Sequence, residues 1–163
     1  MAVPTEAPFE KGSPAMNKIV LAVDGSDHST RAAEMAGSLS QAMGAPVDVV
    51  HVVSDGSMLT AGPIQDYARL ERIVITQREL LESIGAGVVA EAAGKVRALG
   101  GTVGATKVLV GSPAHQIAEY AGEAGADCIV MGRRGLGDIS GLLMGSVSHK
   151  VGHLTGLSLV TTE

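Results

Sequence analysis

Short apolar runs alternate with longer stretches of helical periodicity from Asn17 onward. The first run, KIVLAVD at 18–24, is apolar almost throughout, which is typical of a strand covered on both faces. Similar runs follow at 46–53, 102–111, 126–132 and 157–162. Five strands separated by helical stretches predict an α/β fold, in which right-handed crossovers place helices on both faces of a parallel sheet.

The helical stretches between these runs have predictable buried faces. Ser26 or Asp27 is placed to cap the first helix. In that helix one apolar stripe repeats at helical spacing, formed by Ala32, Ala36, Leu39 and Met43. In the long second helix the predicted buried face comprises Ile73, Leu80, Ile84, Val88, Ala92 and Leu99. Gly85, Gly87 and Gly94 weaken this helix, each by about 1 kcal/mol relative to alanine.

The ends of the first and fourth strands define the expected ligand cleft. In a doubly wound sheet the strand order reverses once, and ligands bind beyond the carboxyl ends of the strands at that point. A chain of this length favours the first strand as the centre of the sheet, with the fourth strand beside it. Asp24 ends the first strand and Gly132 ends the fourth, so both residues are expected to face the cleft.

The composition narrows the classes of function. Aromatic residues make up only 2% of the 163-residue chain, so the core must be aliphatic and stacking platforms for single-stranded nucleic acid are missing. The net charge of −5 also makes the chain a poor partner for nucleic acid. Any anion site must therefore be local, built from backbone amides and a few cations.

The chain ends and the cysteine content point to a single cytoplasmic domain. Residues 1–16 are predicted to be a disordered tail, since they are polar, contain proline and lack the apolar centre of a signal peptide. Residues 17–163 form the predicted folded domain. Cys128 is the only cysteine, so no intrachain disulfide is possible. No apolar run approaches the roughly 18 residues of a membrane span.

A glycine-rich segment, IVMGRRGLGDISGLLMGSVSHKV at 129–151, carries the strongest chemical signal. Phosphate groups bind where glycine allows close approach to backbone N–H groups, and a helix N-terminus adds free amides and partial positive charge. Gly145 and Ser146 fit this description because a helix is predicted to begin there. Neither the P-loop pattern nor the dinucleotide fingerprint is present at its usual place.

From the residues alone, each of these features has a second interpretation. The segment could be only a mobile glycine-rich connection, and Asp24 could simply stabilise a turn. Ser146 could be no more than a helix cap, and Arg133 and Arg134 could be solvated surface residues. His149 and His153 have the spacing of a zinc pair on a helix, but no further ligand lies near them in the sequence, so exposed histidines are favoured.

His51 is predicted to be a core or cleft-edge histidine, because it lies within an apolar strand.

The run Gly132-x2-Gly135-x9-Gly145-Ser146 resembles the G-x2-G-x9-G-S/T motif of ATP-binding universal stress proteins. The segments KIVLAVDGSDHSTRAAEMA, VVHVV and LLMGSVSHKV are also similar to that family. The resemblance covers residues 17–162 and is weakest between 54 and 100. It implies an open, doubly wound, five-stranded parallel sheet of order 3-2-1-4-5, a Rossmann-like fold similar to that of the adenine nucleotide alpha hydrolases.

The resemblance also implies a site for ATP, alone or with Mg²⁺. Asp24 would contact the adenine base, and Val52 would contact it through its backbone. Residues beside the base and ribose would be Ala22, Val23, Met131 and Gly132.

At the phosphate end, the resemblance implies that Gly135 and Gly145 allow close approach. Phosphate oxygens would be bound by Ser146, Val147 and Ser148. We add the hypothesis that Arg134, together with Arg133, directs positive charge toward the triphosphate.

The function implied is that of a nucleotide-dependent regulatory module in a stress response, with little or no turnover. The alternative is a slow ATPase or phosphotransferase that uses the same pocket, in which Asp138 and Ser140 would be the only candidates near the phosphates. Neither looks poised for catalysis, so no catalytic residue and no protein-bound metal site are predicted. A weaker alternative is a dimerisation module with an empty cleft.

The resemblance further implies a homodimer that pairs through the C-terminal strand, and an unidentified regulatory protein partner. One departure affects the dimer. Relatives commonly carry a Cys-Pro-Val segment that enters the last strand, whereas this chain has TGLSLVTTE without a proline. A terminal strand with an unpaired edge favours pairing with a second chain, but its entry differs from the family pattern.

Overall fold

The structure, a computed structural model, describes residues 16–54, 67–136 and 144–163, with the side chains of the second helix described from Arg78 onward. Its elements are β1 (Ile19–Ala22), α1 (Asp27–Met43), β2 (Val47–Val53), α2 (Tyr67–Ala98), β3 (Val103–Val110), α3 (Pro113–Glu123), β4 (Cys128–Gly132), α4 (Ser146–Leu154) and β5 (Ser158–Thr162). Each strand begins and ends within two residues of its predicted bounds. The predicted tail at 1–16 lies outside the described residues except for Met16, which packs against the core.

The five strands form one parallel sheet in the order β3-β2-β1-β4-β5. This order confirms the predicted doubly wound fold. All four residues of β1 are buried, because this central strand has a neighbour on each edge and helices over both faces. Ala22 pairs with Val50 of β2 and with Met131 of β4, so the carboxyl ends of these three strands meet at one edge of the sheet.

Alternate side chains of β1 enter two separate cores, as the period of a strand requires. Ile19 and Leu21 pack with residues of α1 and α2 on one face of the sheet. Val20 and Ala22 pack with residues of α3 and α4 on the other face. The apolar runs of the sequence are continuous because both faces of the strands are covered.

Helix α1 begins and ends as its sequence predicts. Ser26 is the N-cap, and its hydroxyl accepts a hydrogen bond of 3.2 Å from the amide of Ser29. At the other end Gly44 adopts a left-handed conformation with φ of 71°, and its amide donates to the carbonyl of Ser40. Ala32 and Ala36 of the predicted stripe are buried, while Leu39 and Met43 pack partly buried at its border.

The predicted buried face of α2 is partly wrong. Leu80, Ile84 and Leu99 are exposed, with 60%, 54% and 39% of their surface accessible. Ala92 is buried as predicted, and Val88 is partly buried. The prediction for Ile73 lies outside the described side chains. The residues that α2 buries are smaller ones, Val89, Ala92, Ala93 and Val96.

Gly85 explains why α2 uses a different face. A Cβ atom added to Gly85 would lie 2.7 Å from Cδ2 of His51 and 3.1 Å from Cγ1 of Val108. The helix therefore approaches β2 and β3 closely at this glycine. We expected Gly85 to weaken the helix, whereas its lack of a side chain is what lets the helix pack there.

Asp48 is a charged residue buried inside β2, with only 2% of its surface exposed. Its carboxylate accepts hydrogen bonds from the amide of Ala105 (2.7 Å) and the hydroxyl of Tyr120 (3.1 Å), and Nζ of Lys18 lies 3.1 Å away. The Ala105 amide becomes available where the pairing of β2 with β3 shifts register. Burial, and then the charge of Asp48, raise the pKa of Tyr120 from 10.0 to about 12.

No helix among the described residues is both long enough and apolar enough to span a membrane.

Candidate functional site

A cavity of about 510 Å³ opens beyond the carboxyl ends of β1, β2 and β4. This volume lies within the range of roughly 300–1,000 Å³ that is typical of small-molecule sites. The cavity forms where the chain leaves β1 for a helix on one face and leaves β4 for a helix on the other. It therefore lies at the switch point of the doubly wound sheet.

All twelve residues that the sequence placed at the nucleotide site line this cavity. They are Ala22, Val23, Asp24, Val52, Met131, Gly132, Arg134, Gly135, Gly145, Ser146, Val147 and Ser148. The structure thus brings together residues from three strands and a helix N-terminus that are separated by up to 126 positions in the chain, from Ala22 to Ser148.

Apolar side chains form one end of the cavity, where Val52, Ile117 and Met131 contribute to the lining. His51 also lines the cavity and is half-buried, and its Nδ1 donates to the carbonyl of Val23 over 2.8 Å. Because a carbonyl only accepts hydrogen bonds, Nδ1 of His51 carries a proton. The cleft-edge position predicted for His51 is confirmed.

Asp24 connects the end of β1 to the segment that follows β4. One carboxylate oxygen accepts from the amide of Ser26 and the other from the amide of Leu136, each at 3.0 Å. The first of these bonds is the turn-stabilising role that the sequence left open. The second spans the cleft, so Asp24 also holds the glycine-rich segment in place.

Two of the motif glycines are required by contacts within the protein. A Cβ atom at Gly132 would lie 2.8 Å from Cβ of His28 and 2.9 Å from the carbonyl oxygen of Arg134. A Cβ atom at Gly135 would lie 2.5 Å from a carboxylate oxygen of Asp24. At Gly132 the close neighbours include backbone atoms, so another residue would have to displace the chain. At Gly135 a side chain would displace the Asp24 carboxylate from its bond to the Leu136 amide.

Helix α4 presents its N-terminus to the cavity. Gly145 is the N-cap, in an extended conformation, and among the described residues no side chain caps the helix. The idea that Ser146 is only the helix cap is therefore wrong, because Ser146 is the first helical residue and is exposed. The first amides of any helix have no partner within it, and here Ser146 and Val147 line the cavity.

Ser148 is buried, and its hydroxyl donates to the carbonyls of Arg133 (2.8 Å) and Gly145 (3.1 Å). These bonds fix the first turn of α4 against the end of the fourth strand. The buried residues of α4 are Ser148 and Val151, whereas Leu154 at the end of the helix is 46% exposed.

Arg133 and Arg134 both line the cavity. The guanidinium of Arg133 forms an ion pair with Glu163, and its amide donates to the carbonyl of Thr162 over 2.7 Å. Arg133 is therefore tied to the end of β5 and is not a fully solvated surface residue. Arg134, the next residue of the glycine-rich segment, is half-buried.

Sequence reasoning missed six residues that line the cavity: Ser29, Val50, Ser54, Pro113, Ile117 and Leu136. Pro113 is the first residue of α3, which begins just after β3 at the carboxyl edge of the sheet. Applying the same edge rule to β3 would have found Pro113 and, one turn later, Ile117. Asp138 and Ser140, the candidates for catalysis, lie outside the described residues.

The described residues contain no group of three or more His, Cys, Asp or Glu side chains that could hold a metal ion. His149 and His153 lie on the exposed side of α4, with their Nε2 atoms 3.3 Å apart.

Comparison with known proteins gives a consistent result. The model of the universal stress protein family matches residues 16–160. Universal stress protein YxiE of Bacillus subtilis is 32% identical over 139 residues, which is 85% of this chain and 93% of that protein.

Two solved structures share the fold. Universal stress protein UspA from Lactobacillus plantarum superposes with a TM-score of 0.79 at 20% identity, covering 92% of this chain and 99% of that one. A universal stress protein in complex with cAMP superposes with a TM-score of 0.62 at 27% identity, covering 92% of this chain and 98% of that one.

Proposed function

Because the chain belongs to the universal stress protein family, we propose that it binds ATP in the cleft beyond β1 and β4. We propose further that it acts as a nucleotide-dependent regulatory module with little or no turnover. The observation that carries this proposal is that one cavity of about 510 Å³ is lined by all twelve residues expected at the nucleotide site. A relative solved with cAMP supports the choice of an adenine nucleotide.

The adenine base occupies the apolar end of the cavity in this proposal. Val52 and Met131 supply its apolar surroundings. An ionised carboxylate offers about four lone-pair positions, and the two amides bonded to Asp24 use only two of them. Asp24 therefore keeps capacity to accept from the amino group of adenine.

The phosphates lie at the N-terminus of α4. Free first-turn amides and the helix dipole favour a negative group there, and the exposed Ser146 adds a hydroxyl donor. We assign Ser148 a contribution through its amide, because its hydroxyl already holds Arg133 and Gly145. Arg134 adds positive charge at the same end.

Little turnover is proposed because hydrolysis needs a group that positions the attacking water, commonly with a metal. Among the described residues that line the cavity, Asp24 is the one carboxylate. It accepts from two backbone amides and belongs to the base end of the proposed site. Mg²⁺ would then be bound mainly by the nucleotide's own phosphates and water.

Assembly and setting are part of the same proposal. In the sheet, β5 is a terminal strand that pairs with β4, and an edge strand of this kind can pair with a second chain. We propose a cytoplasmic homodimer through β5, which reports the bound nucleotide to a regulatory protein partner.

The deciding experiment is to purify the protein without added nucleotide, denature it and identify what is released by mass spectrometry. Adenine nucleotide in the released fraction, and saturable heat on calorimetric titration with ATP, are expected. If neither is observed for folded protein, ATP binding is ruled out. Phosphate release followed over hours, with and without Mg²⁺, separates a binder from an enzyme, because multiple turnovers would favour the ATPase.

A further inference from the structure

His149 and His153 lie one turn apart on α4 and face each other. Their Nε2 atoms are 3.3 Å apart, and their ring centroids are 4.6 Å apart with planes inclined by 68°. Both side chains are exposed, and neither lines the nucleotide cavity. We propose that this pair is a binding site for a divalent transition-metal ion such as Zn²⁺, separate from the nucleotide site.

The separation of the two nitrogens matches the geometry of a metal site. Zinc–nitrogen bonds of about 2.0–2.1 Å at a tetrahedral angle place two ligand nitrogens about 3.3–3.4 Å apart. The Nε2 atoms of His149 and His153 already have this separation, so one ion can bind both once each ring carries its proton on Nδ1 and leaves Nε2 free as a ligand. Two histidines four apart on a helix are also a recurrent zinc-binding spacing.

The exposure of the pair allows the remaining coordination positions to be filled from outside. No third His, Cys, Asp or Glu joins the two histidines within the part of the chain that the structure describes. The protein therefore supplies two nitrogen ligands, and water or a second copy of the chain supplies the others. Imidazole nitrogen favours Zn²⁺, Ni²⁺ and Cu²⁺ over Mg²⁺ and Ca²⁺, which prefer oxygen.

The test uses full-length protein without an affinity tag, stripped of metal and titrated with ZnCl₂ by calorimetry and equilibrium dialysis. We expect saturable binding that weakens by at least about tenfold, or about 1.4 kcal/mol, in His149→Gln and in His153→Gln. His115→Gln is the matched control, because His115 is another exposed histidine on a helix and bonds to Ser112. It should bind zinc like the wild type.

A spacing control keeps the number of histidines constant. Leu154 is 46% exposed, so the double variant His153→Gln/Leu154→His moves the second imidazole five positions from His149 without disturbing a core. On a helix this places the two rings on different faces, and zinc binding should stay lost. A stoichiometry of one ion per chain supports the site with water as the other ligands. One ion per two chains supports it with the other ligands supplied by a second copy of the chain.

Three results would overturn the proposal. The first is that the double variant His149→Gln/His153→Gln binds zinc as the wild type does. The second is that the wild-type protein binds no zinc even in excess metal. The third is that the spacing variant binds zinc as tightly as the wild type. Circular dichroism of each variant establishes that α4 and the fold are retained, since both histidines are on the surface.

Discussion

Two aspartates on neighbouring strands, Asp48 and Asp24, differ in how fully the protein uses them. Asp48 lies near the amino end of the sheet, is 2% exposed and contacts an ammonium group, a backbone amide and a phenol. Asp24 lies at the carboxyl end, half-buried at the cavity, and contacts two amides. The first carboxylate is surrounded by the fold, whereas the second keeps a side open to a ligand.

The difference follows from where parallel strands can leave space. At the amino end, Lys18 and Tyr120 close over Asp48, and a buried charge is tolerated only when it is paired in this way. At the carboxyl end the chain diverges toward opposite faces after β1 and β4, so a crevice remains. The same residue type thus has a structural role at the amino end of the sheet, and at the carboxyl end it has the binding role that we propose.

The largest predicted effect is on stability. Asp48→Ala removes a buried carboxylate and leaves the Ala105 amide and the Tyr120 hydroxyl without their acceptor, so we expect a loss of about 3 kcal/mol in the free energy of unfolding. Urea denaturation measures this loss. Glu91→Ala, which breaks the exposed Glu91–Lys95 pair, is the control and should cost less than about 0.5 kcal/mol. Equal costs would contradict the structural role of Asp48.

A second prediction concerns the N-terminus of α4, at the carboxyl end of the sheet where the cavity opens. Ser146→Pro removes both a hydroxyl and a backbone N–H, yet proline is well accepted at the first helical position, and Gly145 has the extended conformation that suits a residue before proline. ATP affinity should fall about 100-fold, because hydrogen bonds to charged groups contribute about 1.5–3 kcal/mol each. Isothermal calorimetry measures the change.

Ser146→Ala is the matched control, because it keeps the amide and removes only the hydroxyl. We expect a loss of affinity of about tenfold for this variant. Equal affinity of the proline variant and the wild type would place the phosphates elsewhere. Gly145→Val is less informative, since a Cβ atom at Gly145 already lies 3.1 Å from the Arg133 carbonyl oxygen.

A third prediction tests the open side of Asp24. Asp24→Asn removes the charge and keeps an acceptor oxygen for only one of the two amides, those of Ser26 and Leu136, so ATP affinity should fall about tenfold with a modest loss of thermal stability. Because guanine carries an acceptor where adenine carries an amino donor, the preference for ATP over GTP should also shrink. Competition binding measures both. An unchanged preference would remove Asp24 from base recognition.

The smallest predicted effect is the pH dependence of stability that Tyr120 contributes beside Asp48. The pKa of Tyr120 is raised from 10.0 to about 12 by burial and then by Asp48. A pKa raised by folding stabilises the protein fully below the unfolded value, and this contribution is lost as pH rises through the folded value. Stability should therefore fall between about pH 10 and 12, and less so in Tyr120→Phe. Urea denaturation at each pH measures the stability of both proteins. The same loss of stability with pH in the wild type and in Tyr120→Phe would refute the assignment of this pH response to Tyr120.

The sheet could be predicted because its strands are nearly uninterrupted apolar runs, and such runs arise when both faces are covered. Eleven of the twelve site residues came from the family resemblance, and Arg134 came from an added hypothesis about charge. The rule that ligands bind at carboxyl ends explains why Asp24 and Gly132 line the same cavity. The apolar runs and the motif are read from short segments of the sequence, and the position of the cleft follows from the strand order alone.

What could not be predicted depends on packing between distant segments. The buried contacts of Asp48 could not be predicted, because its partners Lys18 and Tyr120 come from other parts of the chain. One charged residue within an apolar strand does not identify them. The face of α2 was misjudged because large residues such as Leu80 and Ile84 were expected inside, whereas close helix approach selects small ones. The engagement of the Ser148 hydroxyl likewise depends on carbonyls that only the folded chain brings near.

The fit between Gly85 and His51 restricts the order in which this protein can change over evolution. The ring of His51 is held by its bond to the Val23 carbonyl, and a Cβ atom at position 85 would lie 2.7 Å from that ring. A larger residue at position 85 therefore needs a smaller side chain at position 51, and it also needs room from Val108, whose Cγ1 would lie 3.1 Å away. The two positions are thus epistatic, and a drifting lineage would have to change the strand before the helix.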